Sequence, residues 1–130
     1  MPGFLMTDPA QTMALVVEDE WLLRLEIVDE LRQLGWSTLE AASGEEALRL
    51  LDEGNRVDLL ITDIRLTGGT DGWQVAEAFR RTQSQLPVIY VSANPLVETR
   101  RVEGGVFFSK PCDMALLLAA CKRLCAPASS

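Results

Sequence analysis

Histidine is absent from this sequence. Its absence excludes Ser-His-Asp and Cys-His catalysis, and any role as a histidine phosphocarrier. Cysteine is scarce, and Cys112, Cys121 and Cys125 all fall near the end of the chain. Three clustered cysteines make no disulfide framework, and without other candidate ligands nearby they make no zinc site. Reduced thiols in a cytoplasmic protein are the expectation. Aromatic residues are only 6% of the chain, so the core must rest on Leu, Val, Ile and Ala. Positive charge is also short: 12 Lys and Arg stand against 19 Asp and Glu, for a net charge of −7. A nucleic-acid surface needs clustered cations, which this balance argues against. No apolar run approaches the ~18 residues of a membrane span. The opening Met1-Pro-Gly-Phe-Leu-Met6 lacks the basic and apolar regions of a signal peptide.

What is there reads as one globular domain, 130 residues long with 48% apolar residues. Residues 1–12 are expected to be a flexible leader, 13–126 the domain, and 127–130 a short tail. Within the domain, apolar strands alternate with amphipathic helices. Strands are expected at Ala14–Val17, Trp36–Glu40, Val57–Thr62, Pro87–Val91 and Val106–Phe108. Helices are expected around Glu20–Leu34, Ala47–Glu53, Trp73–Thr82, Pro95–Glu103 and Asp113–Leu124. Gly35 and Gly54 stop the first two helices, and Ser43-Gly-Glu-Glu46 is a capping-box pattern before the second. Five strands alternating with five helices predict an α/β fold: a five-stranded parallel sheet with helices on both faces.

Ligands of open α/β sheets bind at the carboxyl ends of the strands. Strand one ends in Glu18-Asp19, strand three in Asp63, strand four in Ser92 and strand five in Lys110. Three carboxylates crowded together need a neutralising cation or a raised pKa. Because the ligands are all oxygen, a hard divalent ion fits, and magnesium keeps room for a phosphoryl oxygen. Asp63 would then be the nucleophile toward phosphorus, with Lys110 and the Ser92 hydroxyl holding the remaining phosphoryl oxygens.

The set Glu18-Asp19, Thr62-Asp63, Val91-Ser92-Ala93 and Lys110-Pro111 resembles the response-regulator receiver family of two-component signalling, over about residues 13–126. The resemblance implies a flavodoxin-like strand order 2-1-3-4-5. It also implies that Asp63 is the phosphoacceptor and that Mg2+ is held by Asp19, Asp63 and the backbone carbonyl of Arg65, with Glu18 acting mostly through water. By the same resemblance Ser92 is a switch hydroxyl, Lys110 the phosphate-binding cation, Phe107 an aromatic rotamer switch, and the Lys110–Pro111 peptide cis. Arg65 and Asn94 occupy positions that tune phosphoryl lifetime in the family.

Two departures stand out. The family often has Pro four residues after the acceptor, where this chain has Thr67 in a Gly-rich loop. Ser92 and Lys110 are 18 positions apart, about four fewer than is common, which is about one helical turn. The expected function is a stand-alone, non-enzymatic phosphoacceptor with at most slow self-catalysed phosphorylation and dephosphorylation. Its expected partners are a sensor histidine kinase or histidine phosphotransfer protein and a downstream protein target, with homodimerisation through the C-terminal helix face. Two alternatives stand beside it: a degenerate receiver that only binds proteins, and an aspartate-nucleophile phosphatase. The phosphatase reading requires a second Asp two residues after the nucleophile, and position 65 is Arg.

Overall fold

In three of the strands nearly every side chain is apolar, and that is what places them at the centre of a parallel sheet. A computed structural model describes residues 12–93 and 100–126. Strands β1 (Met13–Val17), β3 (Leu59–Asp63) and β4 (Val88–Ser92) are buried almost throughout, whereas β2 (Ser37–Ala41) and β5 (Val106–Ser109) are only partly buried. Strands covered on both faces lose the polar alternation of a half-exposed sheet. The order is β2-β1-β3-β4-β5 with every pairing parallel, as expected. One face carries α1 (Trp21–Gln33) and α4 (Met114–Leu124), packed through Ile27, Val28, Leu31, Leu117 and Cys121. The other carries α2 (Gly44–Asp52) and α3 (Gly72–Thr82), packed through Ala47, Trp73, Val75, Ala76 and Phe79. Among the described residues no helix is long and apolar enough to cross a membrane.

Local chemistry sets the helix ends. Ser43 caps α2 by accepting from the Glu46 amide at 3.1 Å, so that helix begins three residues earlier than expected. A full capping box starts α3, with Asp71 accepting from the Gln74 amide and Gln74 reaching back to the Asp71 amide. Gly35, at φ +87°, closes α1 in a conformation that a side chain would strain. The helix expected near Pro95–Glu103 lies largely outside the described residues, as do the expected leader apart from Thr12, the tail, and Asn94. The described end of that segment, Arg100 to Glu103, is not helical. It is fastened to α3 instead: Arg100 pairs with Glu77 at 2.8 Å, and Arg80 donates to the Glu103 carbonyl at 2.7 Å. The buried Tyr90 hydroxyl accepts from the Val102 amide at 3.0 Å, and its ring packs on Trp73.

The three consecutive leucines of the last helix divide as their 100° spacing requires. Leu117 is fully buried, Leu118 is partly buried and Leu116 is 60% exposed. On this helix Leu116 is the exposed large apolar side chain, flanked by the exposed Ala115 and Ala119 and the partly buried Leu118.

The start of α3 is the tightest joint in the fold. Gly72 donates to the Ile64 carbonyl at 2.8 Å, and a Cβ at Gly72 would overlap the Asp63 carbonyl oxygen, which is backbone and has no room to yield. Gly72→Ala is expected to destabilise the protein by about 3 kcal/mol, read as a lowered urea midpoint. Gly54→Ala, where the added methyl meets open space at φ +88°, is expected to cost about 1–2 kcal/mol from backbone strain alone. Equal costs at the two sites would contradict the overlap.

Candidate functional site

The carboxyl ends of β1, β3, β4 and β5 converge on one edge of the sheet. Asp63 is the last residue of β3 and Ser92 the last of β4, while Glu18 follows β1 and Lys110 follows β5. Register makes this convergence compulsory: Val17 pairs with Thr62, Asp63 with Val91, and Ser92 with Ser109. Each of Glu18, Asp19 and Asp63 offers a carboxylate oxygen, and these oxygens lie within 4.8 Å of one another. Glu18 is 2% exposed, Asp63 7% and Ser92 1%, and Asp19 is half-buried.

Buried charge is tolerated only where it is paired and hydrogen-bonded. Lys110 supplies the pairing, its Nζ lying 3.0 Å from Glu18 Oε1 and 3.0 Å from Asp63 Oδ2. Its backbone amide donates to the Ser92 carbonyl at 2.8 Å, and the Lys110–Pro111 peptide is cis. Backbone amides supply the rest. The Glu20 amide donates to Glu18 Oε2 at 3.1 Å, Arg65 to Asp63 Oδ1 at 3.3 Å, and Thr67 to Asp19 Oδ2 at 3.2 Å. Arg24 braces the turn from outside, donating to the Glu18 carbonyl at 2.7 Å and to Glu40 of β2 at 3.1 Å.

Burial pushes the Glu18 carboxyl up to about 7, against the opposing pull of Lys110 and the Glu20 amide and with help from the Asp63 charge. For Lys110, burial works downward, yet its hydrogen bonds and charge contacts with Glu18 and Asp63 win and raise its pKa. With all groups ionised, three carboxylates and one ammonium leave two negative charges. A divalent cation cancels that excess, and an all-oxygen donor set with no His or Cys suits a hard ion.

The site thus brings together Glu18, Asp19, Asp63, Ser92 and Lys110. The Arg65 side chain is exposed, but its backbone stands in the same loop. Phe107 is elsewhere: it pairs with Tyr90 in the sheet and packs, partly buried, on the α2 and α3 side. Sequence reasoning missed three features here. The Thr67 amide carries no signature, because every residue but proline has one. Tyr90 reads as one more apolar strand position. The exposed Trp21, Leu22 and Leu25 of α1 pass for a buried stripe.

A family model for the response regulator receiver domain matches residues 14–122. The sensor histidine kinase RcsC of Escherichia coli K12 is 31% identical over 116 residues, covering 86% of this chain and 12% of that protein. The chain therefore spans a small part of the kinases it resembles. A response regulator receiver protein from Sinorhizobium medicae superposes with a TM-score of 0.85 at 29% identity, over 91% of this chain and 97% of the other. TrrA of Thermotoga maritima, a response regulator protein solved in complex with Mg2+-BeF, gives 0.74 at 29% identity, over 88% and 99%.

The raised Glu18 pKa has a consequence for stability. The folded chain holds this proton more tightly than the unfolded one, so between about pH 4.5 and about pH 7 the Glu18 contribution to stability falls as pH rises. Glu18→Gln is expected to remove that decline. Urea unfolding across this range in magnesium-free buffer checks it; an identical pH slope in the variant would contradict the assignment.

Proposed function

The chain belongs to the family of response regulator receiver domains of two-component signalling, and we propose that within it Asp63 accepts a phosphoryl group from a phosphohistidine donor. The observation that carries this reading is the position of Asp63: buried at the end of β3, with Oδ2 3.0 Å from the Lys110 ammonium and with Glu18 and Asp19 alongside. In the transfer an Asp63 carboxylate oxygen bonds to phosphorus as the bond from phosphorus to the donor's imidazole nitrogen breaks. Lys110 passes from the carboxylate to a phosphoryl oxygen, and the Ser92 hydroxyl donates to another. In this reading Asp19, Asp63 and the Arg65 carbonyl would hold Mg2+, with Glu18 acting mostly through water, and the ion would supply charge neutralisation and orientation. Phe107 follows Ser92 as the aromatic switch on β5. The module is a phosphoacceptor with slow self-catalysed chemistry rather than a turnover enzyme, set in the cytoplasm with its three thiols reduced.

The signal leaves by protein contact. Trp21, Leu22 and Leu25 of α1 and Leu116 of α4 are exposed apolar residues. Of these, Leu22 lines a cleft of 490 Å³ that runs from Leu22 and Leu23 to Lys110, Pro111 and Cys112. A sensor kinase, a histidine phosphotransfer protein or a downstream target is the occupant in this reading. Glu20, Glu26 and Lys110 line the cleft, so a partner seated there meets charges of both signs. Homodimerisation through the C-terminal helix face, where Leu116 is exposed, is expected to show as a dimer in velocity sedimentation; a monomer would leave that face to a partner protein.

Asp63→Asn is expected to abolish stoichiometric labelling by acetyl phosphate with magnesium while leaving the circular dichroism spectrum unchanged. Its melting temperature should hold or rise, because one of three crowded carboxylates is gone. Wild-type label should be acid-stable and base-labile. Catalytic release of phosphate would instead favour a phosphatase, and no label at all a protein-binding module. Asp19→Ala should lose the magnesium response.

A further inference from the structure

Lys110 reaches two of the three carboxylates, Glu18 and Asp63. The Asp19 carboxylate accepts instead from the Thr67 amide at 3.2 Å, across 48 positions of sequence. That amide belongs to a loop with its own external support. Gly69 donates to Glu45 Oε2 at 2.8 Å, and Gly68, at φ +98°, lies so close to the same carboxylate that a Cβ would come within 2.7 Å of Glu45 Oε1. The Glu45 carboxyl is held below the usual carboxylate range by its own backbone amide and by that of Gly69. One residue earlier, a Cβ on Gly44 would meet the Thr70 carbonyl at 2.5 Å, so the start of α2 is wedged directly under the loop. The far end of the loop is fixed by the Asp71–Gln74 capping box of α3. A line of contacts therefore runs from α2 through the Gly-rich loop to Asp19.

We propose that the Thr67 backbone amide is a positioning group for divalent-cation binding, holding Asp19 in its ligating orientation through a loop clamped by Glu45. The inference rests on the magnesium reading above. A carboxylate has two oxygens, so an amide on one fixes the side chain and leaves the other for the ion. Hydrogen bonds that orient a metal ligand are commonly worth 10–100-fold in affinity. Because the donor is backbone, the Thr67 side chain is dispensable; the N–H is a tether of this chain's own, at a position where the family often has proline.

The test is calorimetric titration with MgCl2 of wild type, Thr67→Ala, Thr67→Pro and Glu45→Ala. Circular dichroism and melting in magnesium-free buffer monitor the fold. Thr67→Ala, which keeps the amide, is expected to bind like wild type. Thr67→Pro, which removes it, is expected to bind about tenfold more weakly. Glu45→Ala, which frees the loop, is expected to shift affinity in the same direction. Wild-type affinity in folded Thr67→Pro overturns the inference alone, as does equal weakening in Thr67→Ala and Thr67→Pro. Should Thr67→Pro fail to fold, unchanged affinity in Glu45→Ala overturns it. A wild-type chain with no magnesium response overturns the metal reading and this inference together.

Discussion

Everything at the functional edge depends on keeping three carboxylates within 4.8 Å of one another in a place where two of them are nearly buried. Like charges at that distance repel strongly once water is withdrawn, and each buried carboxylate also forfeits its hydration. The protein answers with one ammonium and a ring of backbone amides. Lys110 bridges two acids, and Glu20, Arg65 and Thr67 each contribute an N–H. The compensation is incomplete. Two formal negative charges are left over, and burial, with a smaller push from the Asp63 charge, raises the Glu18 pKa. A site short of two positive charges, open to solvent at Asp19 and with carboxylate oxygens as its donors, suits a hard divalent cation.

The sheet makes this arrangement affordable in structural terms. β1, β3 and β4 are anchored by apolar side chains on both faces, so their carboxyl ends are fixed by packing far from the charges. The acids and the lysine need only short extensions beyond those ends. This division of labour explains why the site was legible from sequence. Apolar runs such as Leu59-Leu-Ile61 announce a buried strand, and the residue that ends each run must lie at the edge. Glu18, Asp19, Asp63, Ser92 and Lys110 were all readable this way.

What sequence concealed has a different physical origin. The tethers that orient the acids are mostly main-chain amides, and a main-chain amide is nearly invisible in a list of side chains. Position 67 is informative only through the absence of proline there. Tyr90 looks like any other member of its strand until its hydroxyl is seen to hold Val102. Trp21, Leu22 and Leu25 carry the residue types of a core helix face but point outward, since α1 covers the sheet through Ile27, Val28 and Leu31. One missed feature was readable: Asp71-Gly-Trp-Gln74 has the spacing of a capping box, and its place after a Gly-rich loop disguised it.

The joint at Gly72 bears on how this protein would look in a saturation mutational scan. Its backbone rests against the carbonyl of Asp63 with no space for another atom, and it opens the helix whose flank holds Arg100. Position 72 would therefore tolerate essentially no substitution, although it offers no side chain to any ligand. Were Asp63 the phosphoacceptor proposed above, a score by signalling output alone would not tell the two positions apart. Scored by abundance, the two would separate, because replacing the acid relieves crowding whereas adding a methyl at the joint forces the strand and the helix apart.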